Sequence, residues 1–192
     1  MVIEDNFLIL VDQDDNSWGK LEKSLVHRLG LLHRAFSVFI FNQNGELLLQ
    51  QRAEEKYHSG GLWTNTCCSH PVPGEDVADA INRRMQEEMG LKCRTSFAFK
   101  FTYQAHLNNN MIENEIDHVY IGISDELPHP EKSEVKDWKY LSLESVRTEL
   151  KLNPDAYTYW FQVIFEKVAD HYHRHYSEPM LMKQVDVNNF LT

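Results

Sequence analysis

Two apolar stretches, AFSVFIF at 35–41 and ELLLQQR at 46–52, flank the polar quartet Asn42-Gln43-Asn44-Gly45, which has turn chemistry. The pattern predicts two strands joined as a hairpin. Downstream, Val77, Ile81, Met85 and Met89 recur every four residues behind a lead containing Pro, Gly and acids, and Gly90 follows as a stop. This spacing predicts a helix over 75–89. Further apolar runs predict strands near 94–104, 115–123 and 137–141, with a turn or loop at Leu127-Pro128-His129-Pro130 between the last two. Ser142 is placed to cap a short helix to about 150, and beyond Pro154 the stretch from Asp155 to Tyr176 is long enough for a terminal helix. The short apolar run near the N-terminus reads as a first strand. Strands, one central helix, more strands and late helices together predict an α/β (α+β) architecture. A mixed sheet sandwiched by helices fits this order better than a doubly wound parallel sheet.

Composition narrows the picture. The 192 residues carry no repeat, linker or low-complexity tract, so one domain spanning 1–192 is expected. The N-terminus lacks both the basic start of a signal peptide and the length of a membrane helix, and no membrane partner is expected. Three cysteines form an odd set, with Cys67 and Cys68 adjacent, which disfavours disulfides and suits a reducing cytoplasm. A formal net charge of −10 repels the phosphate backbone, so no nucleic-acid partner is expected, and any anionic ligand needs local cations or metal.

Three short patterns carry chemistry. Glu75 is followed by Arg83, then Met85, Glu87, Glu88, Gly90 and Leu91, which matches much of the Nudix box. Ser69 stands where that box begins with Gly, and Arg84 stands where it has a glutamate after the Arg. A cation in place of a metal-directed carboxylate weakens the case for the family's usual pyrophosphate hydrolysis. In TNTCCSHP, Cys68 and His70 lie two apart, so on an extended segment both face one side; a buried inert cysteine is the competing reading. In Glu113-Asn114-Glu115 the two carboxylates likewise share a side at the start of the apolar run IDHVYIGI, although a solvated strand end would look the same.

Taken together, LEKSLVHRLGLLHRAFS, GLWTNTCCSHP, INRRMQEEMG, MIENE and Trp160 occur in the order and approximate spacing of the type I isopentenyl-diphosphate isomerases, Nudix-superfamily enzymes that this chain resembles over about residues 4–165. The resemblance implies a main metal site of His27, His33, His70, Glu113 and Glu115. Such a mixed nitrogen and oxygen shell is compatible with Mn2+, Zn2+ or Mg2+. His27 and His33 are six apart and cannot share a helix face, so a loop or bend is expected between them. The resemblance further implies that Glu88 holds a second ion, Mg2+, bridging to the substrate diphosphate. It assigns Lys23, Arg52, Lys56 and Arg84 to gripping that diphosphate, and Trp160 to covering the site with a π-face that tolerates a developing cation. Cys68 and Glu115 become the acid/base pair, with Tyr103 assisting Glu115; Glu115 is assigned to protonation and Cys68 to proton removal.

The implied reaction moves the double bond of isopentenyl diphosphate to give dimethylallyl diphosphate through a tertiary carbocation. A small-molecule diphosphate is the expected partner, and a monomer or weak homodimer the expected state. Two alternatives remain at this level: a Nudix hydrolase of a nucleoside or isoprenoid diphosphate, and a Nudix-fold binding module without catalysis.

Overall fold

A computed structural model describes residues 6–56, 58–107 and 110–177. The ends of the expected 1–192 domain therefore lie outside the described residues. Nine strands and four α-helices follow in chain order: β1 (Phe7–Val11), β2 (Ser17–Glu22), α1 (Lys23–Leu29), β3 (His33–Phe41), β4 (Glu46–Arg52), β5 (Trp63–Thr64), β6 (Cys67–Ser69), α2 (Val77–Met89), β7 (Thr95–Leu107), β8 (Met111–Ile123), β9 (Val135–Ser142), α3 (Leu143–Leu152) and α4 (Tyr159–Tyr172).

The strand β3 is the spine of the mixed sheet. Along one edge it runs parallel to β8, from His33 opposite Glu115 to Phe41 opposite Ile123. Along the other it meets β1, β6 and β4 in succession, through Leu10–His33, then Phe36–Val38 against Cys67–Ser69, then Phe41–Leu47. Phe36, Val38 and Ile40 pack on one face against Ile81, Met85 and Met89 of α2. Phe39 and Phe41 pack on the other against Phe161, Ile164 and Phe165 of α4. Burial on both faces explains why 35–41 reads as a continuous apolar run instead of alternating.

The predicted hairpin is real only at its turn. Asn42 Oδ1 accepts from the N–H groups of Asn44 and Glu46, but one register pair joins β3 to β4 before the strands separate. Along its other edge β4 pairs with β9 over seven positions, from Glu46 to Arg52. The segment 63–69 fills the opening, pairing first with β4 and then with β3. Its side chains replace the missing ladder: the Thr66 hydroxyl donates to Leu48 O and accepts from Ile40 N, while the Asn65 amide donates to Val38 O. Buried backbone groups on two strands are thereby satisfied, and the crossing segment is fixed where it carries both cysteines.

Several sequence-predicted boundaries shift. The helix expected from 75 begins at Val77 with Asp76 as its cap, and Glu75 instead takes a two-pronged salt bridge from Arg83. The run from Asp155 to Tyr176 is not one helix: a 3-10 turn spans Pro154–Ala156, Thr158 caps α4, and a π-helical turn follows at His173–Ser177. The predicted strand at 115 starts at Met111, so Glu113 and Glu115 lie inside a strand and are buried rather than solvated at its end. The strands expected at 94–104 and 137–141 extend to 95–107 and 135–142.

Gly90 closes α2 with φ 63°, and a Cβ built there would lie 2.5 Å from His129 O. Substituting Gly90→Ala combines left-handed strain with this collision, and the expected loss is about 2 kcal/mol or more. Urea unfolding of the two proteins measures it; an unchanged midpoint would contradict the assignment.

Candidate active site

The local fold delivers each candidate side chain separately. Helix α1 is capped by Glu22, whose carboxylate accepts from the N–H groups of Ser24 and Leu25, and it ends at Gly30 with φ 63°. Gly30 turns the chain so that His27, on the helix, and His33, first on β3, come together with ring centroids 5.2 Å apart. This is the bend expected between them. Parallel pairing then puts Glu115 beside His33, and Cys68 lies opposite Ser37 in the β3–β6 pair. Since residues two apart share a side, His33, Ser37, Cys68, Glu113 and Glu115 are on one face of the sheet, the face covered by α4. Cys67 points the other way, into the apolar packing beneath α2.

Ligand atoms of His27, His33, His70 and Glu113 all lie within 4.8 Å of one another. Glu113 Oε2 is 3.4 Å from His27 Nε2 and 3.7 Å from His33 Nε2, and it makes no hydrogen bond. Donors each ~2.1 Å from a shared ion would stand roughly 3 Å apart, so this spacing, with a buried carboxylate oxygen unsatisfied, fits a divalent cation. His33 Nδ1 bonds Leu31 O at 2.8 Å, which leaves Nε2 facing the cluster. Glu115 stands beside this set of four: Oε1 is 2.9 Å from His70 Nε2 and 3.3 Å from His33 Nε2, while Oε2 accepts from the Tyr103 hydroxyl at 2.7 Å.

All the sequence-predicted site residues except His27 and His33 line one pocket with these groups. Arg84 donates to Glu87, Glu88 and Glu134, and Lys56 also meets Glu134. Gln50 holds the other oxygen of Glu88 at 2.9 Å. The Arg52 guanidinium donates to the carbonyls of Ser59 and His58, lies 3.9 Å from Cys68 Sγ and sits over the Trp160 ring at 5.4 Å. The Trp160 position follows from Thr158, whose N–H donates to Trp63 O and whose hydroxyl donates to Thr64 Oγ1. The terminal histidines stay out: His173 and His175 are exposed. Sequence reasoning missed His58, Nε2 of which is 3.1 Å from Glu113 Oε1. It lies in a loop without periodicity, and only the glycine pair after it hinted at a tight turn.

Burial dominates the titrations. It lowers His27 to about 2, His58 to about 3 and His70 to about 4, so these imidazoles are neutral donors of lone pairs. Burial, with Glu115 beside it, pushes Glu113 up; Glu115, despite its own burial, is brought down by the His33 and His70 rings beside it. Burial also raises Cys68 to about 12 against the pull of Arg52, so from the chain's own groups it is a thiol; the cation alone does not make it a thiolate.

A histidine whose folded value lies below its unfolded value, ~6.5, costs nothing above that pH. As pH falls, the unfolded chain takes up protons that the folded chain refuses, so stability declines until the folded value is reached. The expected outcome for chelator-treated protein is that His27, His58 and His70 keep neutral-imidazole 15N shifts at about pH 5.5, where a solvated histidine is mostly charged. Imidazolium signals from them at that pH would refute it.

The chain matches the NUDIX domain family over residues 31–161. It is 47% identical over 171 residues to the isopentenyl-diphosphate Delta-isomerase of Pectobacterium atrosepticum, covering 89% of this chain and 96% of that protein. It is 49% identical over 165 residues to isopentenyl-diphosphate Delta-isomerase 2 of Photorhabdus laumondii, covering 86% and 93% respectively. Among solved structures, DR0079 from Deinococcus radiodurans superposes with a TM-score of 0.70 at 16% identity, covering 84% of this chain and 98% of that one. A likeness of that kind establishes the fold alone, whereas the sequence identities establish kinship: this chain belongs to the isopentenyl-diphosphate Delta-isomerases of the NUDIX-domain family.

Proposed function

We propose that this chain converts isopentenyl diphosphate to dimethylallyl diphosphate within a single domain. The carrying observation is that Cys68 and Glu115 line the same pocket as four cationic side chains and the Trp160 ring. An unactivated alkene needs a proton added at the terminal methylene carbon and another removed from the carbon on the diphosphate side. In this reading Glu115 gives the first proton, a tertiary cation forms at the carbon between, and Cys68 accepts the second, leaving the double bond shifted by one position. Tyr103 steadies Glu115 through its hydroxyl. The Trp160 face stabilises the cation without a lone pair to trap it. Running the reaction backwards exchanges the two roles, and a protonated Cys68 with an ionised Glu115 is the starting state of that reverse direction.

Lys23, Arg52, Lys56 and Arg84 bind the diphosphate in this scheme, with Glu88 holding Mg2+ that screens its charge. His27, His33, His70, Glu113 and Glu115 hold the main-site ion, Mn2+, Zn2+ or Mg2+, which tunes the acidity of Glu115. The proposed partner is thus a small diphosphate rather than nucleic acid or membrane; among the described residues no helix is long and apolar enough to cross a membrane. A cytoplasmic monomer or weak homodimer is the form proposed.

Incubation with isopentenyl diphosphate tests the reading. Dimethylallyl diphosphate as product supports it, while released phosphate would favour a hydrolase and binding without turnover a non-catalytic module. Cys68→Ala should cost roughly 10²- to 10⁴-fold in turnover with the fold intact, whereas Cys67→Ala should leave chemistry nearly unchanged and lower stability slightly. The reverse pattern would sink the acid/base assignment. Arg84→Glu puts a fourth acid among Glu87, Glu88 and Glu134, so KM for the diphosphate should rise and no robust hydrolysis should appear. Unaltered kinetics would remove Arg84 from diphosphate binding.

A further inference from the structure

Residues 58–62, ahead of β5, fold tightly around the Arg52 guanidinium and the backbone of β4. Arg52 donates to Ser59 O and His58 O, Gln51 donates to Gly61 O at 2.8 Å, and Arg52 N donates to Leu62 O. Gly60 is needed for this approach, since a Cβ there would fall 2.3 Å from Glu54 O. With its carbonyl fixed in this way, His58 turns its ring inward, where the side chain is only 8% exposed.

The ring stands edge-on to His27 with centroids 5.7 Å apart, and further contacts fix its orientation. Nε2 is 3.1 Å from Glu113 Oε1, Nδ1 is 3.3 Å from Ser59 Oγ, and the ring stands edge-on to Trp160 with centroids 6.0 Å apart. Toward a Glu113 carboxylate that holds a cation through Oε2, the tautomer that fits carries its hydrogen on Nε2, and Nδ1 then accepts from the Ser59 hydroxyl. The other Glu113 oxygen, Oε2, is the one lying toward His27 and His33. One carboxylate therefore has its two oxygens divided between His58 and the histidine cluster.

We propose that His58 is a positioning residue for the metal site: its Nε2–H holds Glu113 Oε1 and thereby aims Oε2 at the cation bound by His27, His33 and His70. The inference rests on the metal reading given above and extends it to a residue outside the expected ligand set. A carboxylate with one oxygen already held loses less freedom on binding an ion.

Titration of the full-length, chelator-stripped protein with Mn(II), following free ion by electron paramagnetic resonance, tests this without reference to activity. His58→Ala should weaken Mn(II) binding by about 10- to 100-fold, the range found when partners of ligating groups are removed. His58→Gln, whose amide N–H can take the place of Nε2–H, should bind nearly as wild type. His58→Asn, polar but too short to reach Glu113, should behave as the alanine variant. Equal affinity of His58→Ala and wild type overturns the proposal, as does a glutamine variant as weak as alanine. Melting curves of the stripped proteins guard against misfolding: lost affinity counts only in variants that retain the wild-type transition, and the glutamine rescue still decides if the alanine variant does not fold. Failure of the wild-type chain itself to bind Mn(II), Zn(II) or Mg(II) would defeat the metal reading as a whole, a result distinct from failure at His58.

Discussion

Nine consecutive parallel pairs, His33 with Glu115 through Phe41 with Ile123, join β3 to β8, and the meeting of the histidines with the buried carboxylates depends on that register. Strand side chains alternate between faces, so a slip of one residue would bury Arg34 and Ile116 where His33 and Glu115 now stand. The far end of the same strand pair resists such a slip. Phe39, Phe41, Val119 and Ile121 are packed beneath α4, and Phe36, Val38 and Ile40 beneath α2, so a shift in either direction would pull apolar rings out of both layers. Hydrophobic packing at one end thus fixes the polar geometry at the other. The crossing segment 63–69 is coupled to the same register, because Cys68 takes its direction from its pairing with Ser37.

Electrostatics in the pocket run against the chain as a whole. A protein of net charge −10 gathers Lys23, Arg52, Lys56 and Arg84 around one opening, and their cost is limited because nearby acids and carbonyls meet them. Glu134 is shared by Lys56 and Arg84, and Glu88 by Arg84 and Gln50. A diphosphate that binds here must compete with Glu134 for both cations. The competition favours a multiply charged ligand over a single carboxylate, which is a source of selectivity independent of shape.

Much of this was legible in the residue pattern, for identifiable reasons. Helix α2 announced itself because one buried stripe recurs every four residues and Gly90 ends it. The doubly buried β3 was visible as an apolar run, although its true partners were not, since local sequence carries no record of which distant strand completes a sheet. Strand β2, SWGKLE, was invisible because none of its residues is buried and it lacks alternation. Helix α1 was missed because it has seven residues, too few to display a period. The site residues stood out only through three motifs seen jointly. His58, in a loop held by Arg52, belonged to none of them; its role emerges only once tertiary contacts bring it to Glu113.

The most instructive departure from the Nudix box is Arg84. In the box this position adds a carboxylate to the pair represented here by Glu87 and Glu88, and such a concentration of acids suits several cations around a pyrophosphate. Here the guanidinium bonds to both of those acids and to Glu134, so one box position has become the neutraliser of its neighbours. With fewer negative charges in the pocket, there is less capacity to assemble metals around an attacking water, while the same helix still presents Glu88 to the pocket beside Arg84. Hydrolysis needs water activated at phosphorus; double-bond migration needs water kept away from a carbocation. Replacing an acid by Arg84 on an unchanged helix moves the balance from the first requirement toward the second, and Trp160, buried against Arg52, lines the same pocket with an aromatic face rather than a nucleophile.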